Sequence, residues 1–239
     1  MDMLAVIPAR GGSKGIPRKN LIDLGGKPLL AWTIQAALES KSISRVIVST
    51  EDNEIADCAE SFGAEVPFMR PMEIAGDDVH AVQVVRSTLA GLKEKENYHP
   101  QFIAMLLPTS PLKTSDDIDA CAAVLKAHPD CSAISVSELH YFAEQFRHLR
   151  NGVLEPLIKA ETYTIQRQDA EPVYTANGAV FMSSVACLEE RKEFHHPGAR
   201  AYVMPFERSI DINSETDLEL ARYLLGKSRH PEENPKKRS

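Results

Sequence analysis

An apolar run, Leu4 to Ile7, empties directly into Pro8-Ala-Arg-Gly-Gly-Ser-Lys-Gly-Ile-Pro-Arg-Lys-Asn20, thirteen residues that hold three glycines, four cationic side chains and one hydroxyl. A strand followed by such a loop limits the chain to folds whose strand ends gather around a ligand. Gly11, Gly12 and Gly15 accept backbone conformations that a Cβ would forbid, so successive N–H groups can point inward at phosphate oxygens. Arg10, Lys14, Arg18 and Lys19 place positive charge where a triphosphate requires it. The loop is neither a Gly-x-x-x-x-Gly-Lys-Ser/Thr string nor a Gly-x-Gly-x-x-Gly string, which weakens kinase, GTPase and dehydrogenase readings. A surface turn with solvated lysines is the competing reading.

Strand-like and helical patterns then alternate: Leu4 to Ile7, a helix from near Leu29, Arg45 to Ser49, a helix from near Asn53, Phe102 to Leu107, and a helix from near Asp116. This is the rhythm of an α/β fold with a mostly parallel sheet covered on both faces. Leu30, Ile34, Ala37 and Leu38 share one helical face, as do Ile55, Ala59 and Phe62, and Val79, Val82, Val85, Leu89 and Leu92 repeat the pattern. These stripes are read as core. Ligands of open parallel sheets sit beyond the carboxyl ends of the strands, so the glycine loop and Pro108-Thr-Ser-Pro111 are expected to face one cleft, with Pro108 and Thr109 against a nucleotide.

With 239 residues and 43% hydrophobic content, the chain suits a single catalytic domain, assigned to residues 1–226. Ser214 and Asp217 mark a helix start, Leu218, Ala221 and Leu225 its buried edge, and Gly226 its stop. Residues 227–239 lack apolar periodicity and are expected to be a disordered tail. Cys58, Cys121, Cys131 and Cys187 stand far apart and read as reduced thiols. No histidine pair has zinc-ligand spacing, and no Gly-x-Ser-x-Gly elbow supports covalent catalysis. A net charge of -7 argues against general nucleic-acid binding. Without a long apolar run or a leader-like start, the expectation is a soluble, cytoplasmic protein with no membrane partner. Between about 137 and 175 the alternation breaks, with His140, Tyr141, Phe142, Phe146 and Tyr163 interleaved with charge, a pattern typical of functional or partner-covered segments.

Ile7-Pro-Ala-Arg-Gly-Gly-Ser-Lys-Gly-Ile-Pro-Arg-Lys-Asn20, Leu107-Pro-Thr-Ser-Pro-Leu112, Arg167-Gln-Asp169, Asn177-Gly178 and Arg208-Ser-Ile-Asp-Ile212, taken in that order, resemble the signatures of the acylneuraminate cytidylyltransferases, or CMP-sialic acid synthetases. The resemblance spans nearly the whole chain. It implies a three-layer Rossmann-like nucleotide-diphospho-sugar transferase fold, with residues 137–175 as a small inserted arm for dimerisation and sugar binding, and hence a homodimer. It also implies transfer of CMP from CTP to an acidic nine-carbon sugar. Arg70 resembles the family arginine near the base and ribose.

Nucleotidyl transfer drives a hydroxyl oxygen into the α-phosphorus and expels pyrophosphate, so catalysis consists of positioning and charge neutralisation. Arg10, Lys14 and Lys19 are the candidate catalytic cations, with Gly11, Gly12, Ser13, Asn20 and Arg70 completing the nucleotide site. Asp211 and Asn213 fall on one side of an extended run, which suits Mg2+, or Mn2+, with few protein ligands. Asp211 is also a candidate to assist deprotonation of the attacking hydroxyl, whereas Asp217 is better placed as a helix start. Arg167 suits the sugar carboxylate, with Gln168, Asp169 and Asn177 for its hydroxyls.

Three positions depart from the family pattern. Asn213 replaces the more usual aspartate, Asp77 is followed by Asp78-Val-His-Ala81 instead of small hydroxyl residues, and Leu107 stands where sialic acid synthetases carry glutamine. The last departure favours a legionaminic or pseudaminic type of nonulosonic acid over N-acetylneuraminate. Two alternatives stay open: transfer to another acceptor such as the eight-carbon acid Kdo, and a catalytically silent nucleotide-binding protein.

Overall fold

The computed structural model describes residues 2–13, 15–159 and 171–229. Lys14, Arg167, Gln168, Asp169 and residues 230–239 therefore lie outside the described residues. One six-stranded sheet organises the chain in the order β2 (Arg45–Ser49), β1 (Met3–Pro8), β3 (Phe102–Met105), β7 (Tyr174–Ser184), β4 (Ser132–Glu138) and β8 (Arg200–Val203). The β2, β1 and β3 strands are mutually parallel, as are β4 and β8, and β7 runs antiparallel between the two groups. A separate hairpin joins β5 (Arg147–Arg150) to β6 (Val153–Pro156). Asn151 and Gly152 turn it with φ values of 50° and 82°, the twist a two-residue hairpin requires.

Side-chain alternation along β1 builds the three layers. Met3, Ala5 and Ile7 join one core with Leu30, Ile34, Ile55, Ala59, Ile118 and Leu125, which come from α1 (Leu29–Glu39), α2 (Asn53–Ser61) and α4 (Ser115–Ala127). Leu4 and Val6 face the other way, against Val85, Leu89 and Leu92 of α3 (Ala81–Glu96) and Leu188 of α5 (Val185–Arg191). Each fully buried Leu, Ile, Val or Met among them stabilises the fold by about 1.5–3 kcal/mol. The expected mostly parallel α/β architecture is thus present.

Four local expectations change. Leu38 is 49% exposed, because it sits one position round from Ala37 on a helix that turns its edge to solvent. Phe102 to Leu107 shortens to a four-residue strand, since Pro108 leaves the chain to continue as a loop. Val79 precedes α3 instead of joining its stripe, which Val84 and Thr88 complete. Gly226 does not stop the final helix: α6 runs from Glu215 to Arg229, and the first residues of the expected tail are helical. The helix start does hold, with Ser214 and Asp217 capping each other through backbone and side-chain bonds of 2.8–3.3 Å. All four cysteines are free, two of them buried. Among the described residues no helix is long and apolar enough to cross a membrane.

Candidate active site

Parallel strands bring the carboxyl ends of β1, β2 and β3 to one edge, where the loops that follow them surround a cleft of about 370 Å³. Arg10, Ser13, Lys19, Asn20, Arg70, Pro108, Thr109 and Asn213 all line it, as expected from the sequence. Ile74, Val79, Ala81, Val84 and Leu107 supply an apolar wall. The two loops do share one cleft.

The glycine loop is clamped on both sides. Its Gly11 N–H donates to Glu51 Oε1 at 2.7 Å, and Asn20 Nδ2 donates to Arg10 O at 2.9 Å. A Cβ on Gly11 would lie 2.5 Å from Asp52 Oδ2, and one on Gly15 would lie 2.5 Å from the Asn213 carbonyl oxygen. What these two glycines supply is room for close approach. The expectation that the Gly11 N–H points at phosphate is corrected, because Glu51 has taken it. Asn20 is 6% exposed and braces the loop through its amide.

The cations divide into two sets. Arg10 ion-pairs with Asp77 at 2.6 Å, and both groups remain partly open to the cleft. Lys19 Nζ donates to Ile212 O at 2.8 Å; burial lowers its ammonium below the usual lysine value while Asp211 opposes the fall. Arg70 is buried, donates to Ser49 O, and lies 3.7 Å from Glu51 Oε2. Burial also lowers its guanidinium, against the pull of Glu51. Arg18 does not join them: it turns outward to Asp52 and Glu54.

Asp211 lies beside Asn213, close enough to Lys19 for the two charges to interact. Ile210 and Ile212 are buried against Ile16, Leu24, Leu29 and Leu218, which sends residues 211 and 213 to the other side together. Asn213 Nδ2 donates to Asp211 Oδ2 at 2.8 Å, whereas Asp211 Oδ1 is buried without a hydrogen-bond partner. Among the described residues the segment pairs with no strand; Ile212 N donates to Thr109 O at 2.7 Å and ties it to the proline loop. Asp217 accepts from the backbone N–H groups of Asn213 and Ser214 and is committed to the helix cap.

Asn177 needs a correction as a sugar ligand. It is 6% exposed, its Oδ1 accepts from Ser135 Oγ and Ala179 N, and its Nδ2 reaches Ser209 Oγ and Met204 Sδ. An amide so occupied shapes the floor and leaves nothing for a substrate. Gly178 sits at φ +74° inside β7 instead of at a strand-ending turn, and a Cβ there would meet Ser110 Oγ at 3.1 Å and Asp211 Cγ at 3.7 Å.

Two buried charges escaped the sequence reading. Asp117 is wholly buried and takes Arg208 bidentately at 2.8 and 2.9 Å, Tyr202 Oη at 2.9 Å, and the Thr114 N–H and hydroxyl at 2.9 and 3.0 Å. Burial alone would raise this carboxyl, but Arg208, Thr114 and Tyr202 outweigh it and hold the group below the usual carboxylate range. The network fixes the 206–208 turn that leads into Asp211. Thr114-x-x-Asp117 is a readable capping box, though nothing in the string indicates its arginine. Lys113 is the second, 3% exposed beneath the proline loop.

The cytidylyltransferase family profile matches residues 4–224. Over 94% of this chain, the pseudaminic acid cytidylyltransferase of Campylobacter jejuni serotype O:2 is 31% identical, with 96% of its own length covered. The CMP-N,N'-diacetyllegionaminic acid synthase of Legionella pneumophila is 32% identical over 94% of this chain and 97% of its own. The N-acylneuraminate cytidylyltransferase of Escherichia coli O18:K1:H7 is 32% identical, over 92% of this chain but only 51% of its own. In fold, the chain is similar to a CMP:2-keto-3-deoxy-manno-octonic acid synthetase solved with CTP, with a TM-score of 0.70 at 15% identity over 95% of this chain and 100% of that one. A glycine loop and a set of cations thus share one cleft beside the Asp211 segment, in a chain whose residues 4–224 match one family, and it belongs to the cytidylyltransferases.

Proposed function

We propose that this protein transfers CMP from CTP to the anomeric hydroxyl of a nonulosonic acid and releases pyrophosphate. The observation that carries the reading is the gathering of Arg10, Lys19 and Arg70 around one cleft that Asn213 also lines, with the Asp211 carboxylate bonded to the Asn213 amide beside it. Arg10 and Lys19, with Lys14, neutralise the phosphates, and Arg70 holds the nucleoside end. The apolar wall around Leu107 excludes water from the reacting centre.

Asp211 Oδ1, with the neighbouring Asn213 amide, fits a divalent ion that takes few protein ligands, and Mg2+ is the natural choice beside phosphates. Among the described residues no group of three or more His, Cys, Asp and Glu is placed to chelate one. When bound, such an ion supplies charge stabilisation at the reacting phosphate. Arg167 is assigned to the sugar carboxylate, and Gln168 and Asp169 to its hydroxyls, on their sequence match alone. Leu107 presents an apolar side chain where a polar contact would distinguish N-acetylneuraminate, which favours a pseudaminic or legionaminic type of acceptor. The names of two of the relatives support the same choice.

The test is pyrophosphate release from CTP with pseudaminic, legionaminic and N-acetylneuraminic acids and Kdo offered in turn. Turnover with one of the first two is expected. Turnover with Kdo alone, or with none of the four despite CTP binding, overturns the proposal.

Arg10→Ala is expected to raise the Kd for CTP at least tenfold, since a charge-assisted hydrogen bond contributes about 1.5–3 kcal/mol. Asp77→Asn should act in the opposite sense, because Asp77 competes with phosphate for Arg10. An exposed pair of this kind contributes about 0.2–1 kcal/mol, so CTP should bind up to about fivefold more tightly, as titration calorimetry will show.

A homodimer completes the proposal. Leu149, Val153, Leu154 and Leu157 on and beside the β5–β6 hairpin are each more than half exposed, and Leu149 lies directly across from Leu154 on one face. Paired apolar side chains left in water at the tip of an arm suit burial against a second copy. The doubly substituted Leu149→Asp, Leu154→Asp protein should elute as a monomer in light-scattering chromatography. An unchanged mass would remove the hairpin from the interface.

A further inference from the structure

We propose that Lys113 is a positioning residue of the transfer reaction: its buried ammonium grips the carbonyls of Leu107 and Ser110 and thereby fixes the loop that carries Thr109 into the cleft and holds Asp211 beside it. The inference rests on the reading of CTP-dependent transfer given above.

All three Nζ donors are used, at 2.9 Å to Thr33 Oγ1, 2.8 Å to Leu107 O and 2.7 Å to Ser110 O. Each acceptor is a neutral oxygen. Burying an ammonium without a carboxylate in contact is costly, and a methionine would fill the same space without that cost. The loop explains the choice. Leu107 and Ser110 each precede a proline, which disfavours helical backbone at both and removes the Pro108 and Pro111 N–H groups, so Leu107 O has only a long 3.4 Å bond from Ser110 N besides the lysine. One cation at the centre of the turn satisfies both.

From this anchor the connection to the chemistry is short. Thr109 O accepts from Ile212 N at 2.7 Å, and Ser110 Oγ donates to Asn177 O at 3.1 Å. Gly178, next along β7, brings its backbone against Ser110 and Asp211 together. The loop, the Asp211 segment and β7 therefore move as one unit whose inner fastening is Lys113. Burial pushes the ammonium down to about 7, with the Asp211 and Asp117 carboxylates opposing, so the group is held at a cost that function accounts for.

The test compares wild type, Lys113→Met and Thr33→Val in CTP-dependent pyrophosphate release, with CTP affinity from calorimetry and thermal melting alongside. Wild-type turnover must be seen first; its absence sinks the functional reading and says nothing against the loop. Given it, Lys113→Met should lose about a hundredfold in kcat, the scale of an ångström-level misplacement, with the Kd for CTP within threefold of wild type. A merely structural lysine would instead lower the melting temperature and leave kcat of the folded protein unchanged, which would falsify the proposal. Should Lys113→Met not fold, Thr33→Val decides. That isosteric change leaves one ammonium N–H unsatisfied and loosens the grip on the loop, so kcat should fall about fivefold at unchanged CTP affinity. Wild-type kcat and KM in Thr33→Val would overturn the inference.

Discussion

Asp211→Asn is expected to cut kcat by about a hundred- to a thousandfold, equivalent to about 3–4 kcal/mol of transition-state stabilisation, while CTP still binds. The substitution keeps the shape of the side chain and removes its charge, including that on Oδ1, which is buried without a hydrogen-bond partner. Phosphate binding should persist because Arg10 and Lys19 line the cleft and keep their charge in the variant. Manganese titration followed by electron paramagnetic resonance supplies a readout apart from turnover: the variant should bind the ion more weakly in the presence of CTP. If Asp211→Asn turns over at the wild-type rate, the carboxylate has no part in the chemistry and Asn213 loses its assignment with it.

Asp117→Ala should produce the largest loss of stability. Removing one partner of a buried ion pair costs about 3–5 kcal/mol, and here Arg208, Tyr202 and Thr114 all lose an acceptor at once. In a protein of this size that corresponds to a fall of roughly 6–20 °C in melting temperature, measurable by calorimetry. The pH dependence follows from the depressed carboxyl of the folded state. The stabilisation is present above the unfolded-state value near 3.9 and is lost as pH falls through the lower folded-state value, because protonation then favours the unfolded chain. Wild type should therefore lose stability more steeply than Asp117→Ala below about pH 4. A melting temperature within 2 °C of wild type would show that the network is dispensable.

Much of this fold is legible because it depends on local repetition. Alternation along β1 distributes side chains to two cores, and the stripes of α1, α2 and α3 need only helical geometry to find the sheet. The cleft is equally readable, since glycine and charge concentrated after a strand leave few uses for them. What escapes is the partner of each charged group. Arg10, Arg18 and Lys19 look alike in the string, yet one faces Asp77, one faces Asp52 and Glu54, and one a carbonyl 193 residues away, at Ile212. Asn177-Gly178 reads as a turn because that dipeptide usually makes one, and its real task appears only when β4, the 206–208 turn and Asp211 converge on it. Lys113 carries no local mark, because its acceptors are backbone oxygens and a threonine on a distant helix.

The reversed direction of β7 has a mechanical corollary. The chain leaves the sheet at the end of β4, makes the excursion that bears the apolar hairpin, and re-enters at Tyr174 opposite Glu138. The re-entering strand reaches Asn177 and Gly178 within its first five residues, where a Cβ on Gly178 would lie 3.7 Å from Asp211 Cγ. A shift of Tyr174 or Thr175 against β4 is therefore passed along the start of β7 to Asn177 and Gly178, next to Ser110 and Asp211.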